Sequence, residues 1–256
     1  MSRSIWTRCG GRSNARALEG RPWRIAEGQR IISTRPLVDS DAEHALLERM
    51  IDDHKPPLPP DPVLGRLHYL LYSPFRYPPL RYGSRFGGRH EPSLWYGSEV
   101  LRTALAETAY YRIVFFEGTK AKLAPHAMPF SAFQVAVATR AGVDLSSPAF
   151  KASLRKLCSP SDYTSSQQLG TEMRADGIEA VRYPSARDPR RGPNLALFSP
   201  AAFAAPAPLA TPETWYCTVT AAHDVEFRHE RALTIDTEAF PRSTFLVAGV
   251  LPAPAA

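Results

Sequence analysis

Short strand-like segments are mixed irregularly with a few helical ones along this chain of 256 residues. The apolar runs 178–183 and 195–198 have the length of single strands, whereas Leu101 and Leu105 share one face of a helix over about 99–112. A doubly wound parallel sheet would need strands and helices in regular alternation, and the chain lacks that rhythm. The pattern therefore predicts an α+β fold.

Capping and turn residues place the other elements. Ser98 and the pair Ser159-Pro160 are predicted to begin helices, the second running to about 175, and Gly177 is predicted to end that second helix. Further strands are predicted at 67–72, 94–96, 115–116, 133–137, 214–219 and 225–227. The last two strands would form a β pair near the C-terminus.

Composition divides the chain into three parts. Residues 1–21 contain five arginines, a single acidic residue and no apolar run, which is typical of a disordered tail. Residues 22–60 are predicted to form a helical accessory, with a helix over 41–53 begun by a capping box at Ser40 and followed by a proline-rich linker. Residues 61–256 are predicted to form the main domain with its C-terminal β extension.

The overall composition excludes several classes of protein. Hydrophobic residues make up 44% of the chain and charged residues 22%, which excludes a wholly disordered chain. The most apolar tract, 195–210, contains three prolines, so we expect no membrane span. The three cysteines form no metal-binding pattern, so we expect no metal and a reducing compartment, the cytoplasm. The net charge of +6 suits an anionic ligand.

Residues 75–89 form an arginine-rich loop with interleaved aromatic side chains. Guanidinium groups bind phosphate oxygens in pairs, and aromatic rings stack on planar rings of a ligand. Such a loop suits a nucleotide and a nucleic-acid strand equally, and a solvated basic loop has the same composition. Its charged and aromatic members are Arg76, Tyr77, Arg81, Tyr82, Arg85, Phe86 and Arg89.

Two further segments offer polar side chains at the ends of predicted elements. Tyr96 ends a strand, and Glu107 lies in the following helix beside its apolar stripe, where a carboxylate would be partly buried. Ser185 lies in a Pro-Ser turn after a strand, and Asn194 begins the next strand. Taken alone, Glu107 and the Ser185 turn are more typical of ordinary surface residues than of a site. The chain contains neither a GxSxG nor an HExxH motif, so no common hydrolase pattern competes.

Taken in order, these segments resemble the RES domain family over about residues 66–203. The family pattern has Gly/Ser-Arg-Trp/Phe, then a tyrosine and a glutamate at set spacings. Here Arg85 is followed by Tyr96 and then by Glu107 at equal intervals of eleven residues. A Pro-Ser-Ala turn at 184–186 and Asn194 complete the pattern, and Phe86 replaces the usual tryptophan.

The resemblance implies a fold and an activity. The fold would be like that of the ADP-ribosyltransferase toxins, a split mixed β-sheet with flanking helices, here with an N-terminal helical extension. The activity would be that of a bacterial toxin that cleaves the nicotinamide–ribose bond of NAD, by hydrolysis or with inorganic phosphate as co-substrate. Some relatives ADP-ribosylate a protein instead, so the acceptor stays open between water, phosphate and a protein side chain.

The resemblance also implies roles for individual residues. Arg85 would clamp the pyrophosphate of NAD, and Tyr96 would orient the nicotinamide ring. Glu107 would stabilise the positive charge that develops on the ribose, and Ser185 would hydrogen-bond to the ribose or the nicotinamide amide. The remaining NAD-binding candidates are Asn194 and the Arg-Tyr pair of Arg76 and Tyr77.

A toxin of this family usually has an Xre-like helix-turn-helix antitoxin as its partner, and it can form a homodimer within the toxin–antitoxin complex. The resemblance gives no reason to expect direct binding to nucleic acid or to a membrane. A protein that binds or cleaves nucleic acid through the arginine-rich loop is the alternative from a different functional class, and its affinity would fall steeply with salt.

Overall fold

The computed structural model describes residues 3–28, 37–120 and 127–253. Within these ranges the α-helices are α1 (Ile5–Arg8), α2 (Asp41–Asp53), α3 (Tyr69–Arg76), α4 (Leu101–Gly118), α5 (Leu154–Leu157) and α6 (Thr164–Ala175). The first five strands are β1 (Arg16–Gly20), β2 (Trp23–Glu27), β3 (Trp95–Ser98), β4 (Met128–Gln134) and β5 (Val137–Asp144). The others are β6 (Ala180–Pro184), β7 (Pro193–Leu197), β8 (Glu213–Val219), β9 (Val225–Glu230) and β10 (Ile235–Phe240).

All these strands belong to one mixed sheet in the order β1-β5-β6-β7-β3-β2-β4-β8-β9-β10. Only β5 and β6 pair in parallel; every other pair of described neighbours is antiparallel. The joint between β3 and β2 is a single residue pair, Trp23 with Ser98. The sheet is therefore split near its middle. The predicted α+β class, with a mixed sheet and flanking helices, is confirmed.

Three apolar clusters hold helices against the two halves of the sheet. Helix α4 lies across the split and packs Leu105 and Ile113 against residues of β4, β8 and β9 such as Trp215 and Phe227. Helix α6 covers the other half through Met173. Helix α3 packs against β3, in a cluster that includes Trp95. Burying these side chains fixes the two halves and α4 relative to one another.

The N-terminal segment differs from the disordered tail expected over residues 1–21. Trp6 in α1 is 4% exposed and donates its indole N–H to Asp176 over 2.6 Å. Strand β1 pairs with β5 and buries Leu18 in the apolar cluster beneath. The arginines that suggested disorder occupy exposed positions. The segment is ordered because two apolar side chains, Trp6 and Leu18, are buried against the rest of the protein.

The segment 22–60 also differs in part from the expected accessory. Strand β2 belongs to the centre of the sheet, between β3 and β4. Helix α2 has its expected bounds, and its capping box is confirmed: Ser40 and Glu43 each accept the other's backbone N–H over 3.2 Å. No residue of α2 is buried, and its side chains Leu46 and Met50 are exposed. Residues 29–36 lie outside the described residues.

Two predicted strands are helical. The predicted strand at 67–72 gives way to α3, because the ring of His68 accepts the backbone N–H of Leu70 and caps a helix there. Its apolar residues serve one helical face as well as they would serve a strand. The pair 115–116 belongs to the last turns of α4, where Phe116 still packs against the core.

Two predicted helix starts are wrong. Ser98 lies in β3 and does not cap α4, whose first turn has no side-chain cap. Helix α6 begins at Thr164, beyond Ser159-Pro160, whereas Gly177 ends the helical segment with φ +69° as predicted. Strand β10 was not predicted, because its alternating polar residues are typical of an exposed edge.

Candidate active site

A cavity of about 490 Å³ lies where the sheet splits, between β2, β3 and α4. This volume is in the range of sites that enclose a small molecule or cofactor. Five of the seven residues predicted from the sequence line it: Tyr77, Arg85, Tyr96, Glu107 and Asn194. Ser185 lies against Glu107 but not on the cavity wall, and Arg76 lies elsewhere.

The carboxylate of Glu107 is held from two sides. Its Oε1 accepts a hydrogen bond of 2.6 Å from the hydroxyl of Ser185 and one of 2.7 Å from the amide of Asn194. The amide oxygen of Asn194 accepts in turn from Ser98 over 2.6 Å. Within the described ranges both hydrogen bonds to Glu107 fall on Oε1, which leaves Oε2 available to a ligand in the cavity. Such hydrogen bonds also fix the direction of the carboxylate.

The position of Ser185 follows from the loop between β6 and β7. Its hydroxyl accepts the backbone N–H groups of Arg187 over 3.1 Å and Asp188 over 2.9 Å, and its own N–H donates to the carbonyl of Gly192. The side chain is fully buried. With two N–H donors already pointing at its oxygen, the hydroxyl proton is left to donate to Glu107.

Tyr96 links β3 to the arginine-rich loop. Its phenol donates to the hydroxyl of Ser84 over 2.8 Å and accepts the backbone N–H of Phe86 over 3.1 Å. Burial raises the pKa of the Tyr96 phenol, although the hydrogen bond with Ser84 acts in the opposite direction. The phenol therefore holds the turn at 84–87 beside the cavity in its neutral form.

Arg85 is a buried cation at the cavity wall. One guanidinium nitrogen donates to the carbonyls of Ser159 over 2.8 Å and Leu157 over 3.3 Å, and the group lies 4.3 Å from the ring centre of Tyr163. Burial by itself lowers the pKa of this guanidinium, but Tyr163 and Glu107 raise it, and the net direction is upward. Arg85 is thus a fixed positive charge.

The other two residues of the predicted NAD-binding set lie further out. Tyr77 lies at the rim of the cavity with its side chain exposed. Arg76 is the last residue of α3, and its Nε donates to the carbonyl of Pro56 in the proline-rich linker. The structure therefore does not bring Arg76 into the cavity, because the final turn of the helix directs it toward the linker.

Arg24 in β2 lines the same cavity and was missed from the sequence. Its guanidinium donates to the carbonyl of Tyr96 over 2.7 Å and lies 5.5 Å from the ring centre of Trp95. Within the described part of the chain it has no carboxylate partner, and burial lowers its pKa to about 10. Only the pairing of β2 with β3 reveals this position, so no local motif could have found it.

Tyr163, just before α6, was also missed. Its ring lies under Arg85, and its hydroxyl accepts from Arg187 over 3.0 Å. The cavity thus combines one fixed carboxylate, two cations and several aromatic rings. These groups can hold the anionic and aromatic parts of one ligand while the carboxylate faces a centre of developing positive charge.

The described residues contain neither a metal-binding cluster nor a membrane-spanning helix. No group of three or more His, Cys, Asp or Glu side chains is arranged to hold a metal ion in residues 3–28, 37–120 and 127–253. None of the helices described above is long and apolar enough to span a bilayer.

Two of three comparisons with known proteins gave a match. One similar solved structure is the MbcT–MbcA toxin–antitoxin complex of M. tuberculosis, with 15% identity, a TM-score of 0.42, and coverage of 77% of this chain and 82% of that chain. No curated protein matches the chain. The RES domain family matches residues 62–220, which is more than half of the chain and includes Arg85, Tyr96, Glu107 and Ser185. The chain therefore belongs to the RES domain family.

Proposed function

We propose that this protein is the toxin of a bacterial toxin–antitoxin pair and that it cleaves the bond between nicotinamide and ribose in NAD. The observation that carries the proposal is the Glu107 carboxylate, fixed by Ser185 and Asn194 and open to a cavity of about 490 Å³. Membership of the RES domain family supports the same activity.

The chemistry needs a fixed negative charge more than a strong acid. When the C1′–N bond breaks, its electron pair goes to the ring nitrogen, and the cationic nicotinamide leaves as a neutral molecule. Positive charge then develops on the ribose, as in other glycosyl transfers. Glu107 would stabilise that charge, and a preorganised charge of this kind often contributes more to the rate than any other catalytic effect. An acceptor oxygen then bonds to C1′ and loses its proton.

The cavity wall offers partners for the rest of the dinucleotide. Arg85 and Arg24 are the two cations that line it, and both suit a pyrophosphate. Tyr96 lies next to the split and suits a contact with the nicotinamide ring. We therefore assign the pyrophosphate to the arginines and the nicotinamide end to the side of Tyr96 and Glu107.

Membership of the family supports a proposal for the biological role. We propose an Xre-like helix-turn-helix antitoxin as the partner, a homodimer within that complex, and the cytoplasm as the site of action. The toxin would deplete NAD by hydrolysis or by phosphorolysis. Modification of a protein side chain by ADP-ribose is the alternative outcome, since it shares the step that releases nicotinamide.

The test is incubation of the purified protein with NAD, with and without millimolar phosphate, followed by chromatography. We expect free nicotinamide in at least one buffer. A phosphorylated ADP-ribose that forms only with phosphate would identify a phosphorylase, and ADP-ribose in both buffers would identify a hydrolase. No nicotinamide from folded protein in either buffer would contradict NAD degradation. Labelled ADP-ribose on a lysate protein would then identify a transferase.

A further inference from the structure

Arg102 in the first turn of α4 joins two parts of the protein that are far apart in the chain. Its Nη1 lies 2.9 Å from Oδ1 of Asp188, in the loop that follows Ser185. Its Nε lies 3.2 Å from Oε2 of Glu238 in β10. The guanidinium also lies 5.0 Å from the ring centre of Phe240, on the same strand. Arg102 is thus held by β10 and in turn holds the loop.

Asp188 connects Arg102 to the candidate catalytic residues Ser185 and Glu107. Its carboxylate is 2% exposed and accepts from the hydroxyl of Thr103 over 2.7 Å as well as from Arg102. Its backbone N–H donates over 2.9 Å to the Ser185 hydroxyl, which itself donates to Glu107. Glu238, Arg102, Asp188, Ser185 and Glu107 therefore form one continuous series of polar contacts.

The loop also lies directly against α4. A Cβ atom on Gly192 would lie 2.0 Å from the hydroxyl oxygen of Thr103, so only glycine permits this approach. Gly192 and Asp188 of the loop therefore both contact Thr103 in the first turn of α4. The ion pair with Arg102 adds a third contact between the loop and α4.

We propose that Arg102 and Glu238 are positioning residues that hold the Ser185 loop in register with Glu107. Strand β10 lies outside the segment 62–220 that matches the family, so the proposal assigns this C-terminal extension a role in catalysis. The inference rests on the proposed function for its effect on NAD cleavage. Its structural half, the ordering of the loop, does not depend on any activity.

The physical reason lies in the buried charge of Asp188. Arg102 is the cation paired with this carboxylate, which also accepts hydrogen bonds from Thr103 and from the backbone N–H of Arg190 over 3.0 Å. Removing the cation from a buried ion pair is far more damaging than losing a surface ion pair. Glu238 and the ring of Phe240 fix the long side chain of Arg102, which would otherwise sample several rotamers. A loop displaced by about 1 Å would move the Ser185 hydroxyl away from Glu107 and can cost about 100-fold in rate.

The central variant is Glu238→Gln, with Asp236→Asn as the matched control. Both acidic residues are on β10, but Asp236 pairs with Arg231, away from the cavity, over 2.8 Å. Because Glu238 acts through Arg102 and touches no ligand, we expect Glu238→Gln to lower kcat about tenfold and leave KM within about twofold. Asp236→Asn should leave both constants unchanged.

A second pair of variants tests the central residue. Arg102→Met should lower kcat about 100-fold, and Arg102→Lys should recover part of the loss, because an ammonium can still pair with Asp188. Circular dichroism and the unfolding midpoint would show whether Arg102→Met is folded. Should it fail to fold, Glu238→Gln alone decides, since its partly exposed carboxylate can be replaced without leaving a buried charge unpaired.

Hydrogen exchange of the backbone amides at 187 and 188 supplies a readout that needs no substrate. We expect these amides to exchange at least tenfold faster in Glu238→Gln than in the wild type or in Asp236→Asn. Exchange and kcat that both match the wild type would overturn the proposal. A wild type without nicotinamide release would instead contradict the proposed function, and faster exchange in Glu238→Gln would still support the positioning of the loop.

Discussion

The carboxylate of Glu107 accepts a hydrogen bond of 2.6 Å from the hydroxyl of Ser185, although 78 positions of sequence separate the two residues. One residue lies in the second turn of α4, and the other in the loop between β6 and β7. The contact exists because α4 crosses the split in the sheet directly above the ends of these strands. It places the single fixed carboxylate of the cavity next to a donor that cannot rotate away.

The first prediction concerns the charge of Glu107. Glu107→Gln keeps the shape but removes the negative charge, so nicotinamide release should fall about 10²- to 10³-fold, as for the loss of other preorganised electrostatic groups. The control is Glu117→Gln on the same helix, where the carboxylate pairs with Arg242 away from the cavity. Single-turnover rates would measure both. An active Glu107→Gln would show that the carboxylate does not carry the reaction.

The second prediction concerns the hydroxyl of Ser185. Ser185→Ala removes the donor to Glu107 and leaves the buried N–H groups of Arg187 and Asp188 without their acceptor. We expect a loss of about 1–3 kcal/mol in the free energy of unfolding and a fall in kcat of roughly 10- to 100-fold. Urea unfolding and steady-state kinetics give the two values. Unchanged kinetics together with the lower stability would make the hydroxyl a structural group only.

Local patterns predicted the fold class and the order of most elements. The strands β6, β7, β8 and β9 and the caps of α2 follow from alternation, turn residues and a capping box, which act over a few positions. One failure shows the limit of local patterns. Leu70 and Leu71 fit either a strand or a helix, and the His68 cap together with the packing of α3 against Trp95 decides between them.

The candidate site was predicted unevenly for a related reason. Tyr96, Glu107 and Asn194 were found because the ordered motif set of the family includes them. Arg24 was not found, because its place beside Tyr96 depends on pairing between strands more than 60 residues apart in the chain. Arg76 was predicted from a two-residue Arg-Tyr pair, and the end of α3 directs its side chain to the linker.

The third prediction separates these two arginines. Arg24→Met removes a cation from the cavity and should raise the KM for NAD roughly 10- to 100-fold, the effect of one lost charged hydrogen bond. Arg76→Met removes a contact with Pro56 outside the cavity and should leave KM within about twofold. Steady-state kinetics on both variants gives the comparison. Equal effects on KM would show that the ligand extends beyond the cavity to Arg76.

The fourth prediction concerns stability at alkaline pH. Burial raises the pKa of Tyr110 to about 12, whereas a phenol in the unfolded chain ionises near pH 10. Between these values the unfolded state binds fewer protons than the folded state, so this phenol's contribution is complete below about pH 10 and is lost as the pH rises toward 12. Arg24, whose pKa is lowered to about 10, acts in the opposite direction, so the slope must be compared between variants.

The variant for this comparison is Tyr110→Phe, with Tyr216→Phe at an exposed position as its control. Tyr110→Phe loses the hydrogen bond to the carbonyl of Pro252 and should be less stable by about 1 kcal/mol at pH 8. Between pH 10 and 12 its free energy of unfolding should fall less steeply than that of the wild type, because it has no phenol at position 110 to ionise in the unfolded state. Urea unfolding at several pH values measures the slopes. A slope for Tyr110→Phe equal to those of the wild type and Tyr216→Phe would mean that Tyr110 ionises as readily in the folded protein as in the unfolded chain.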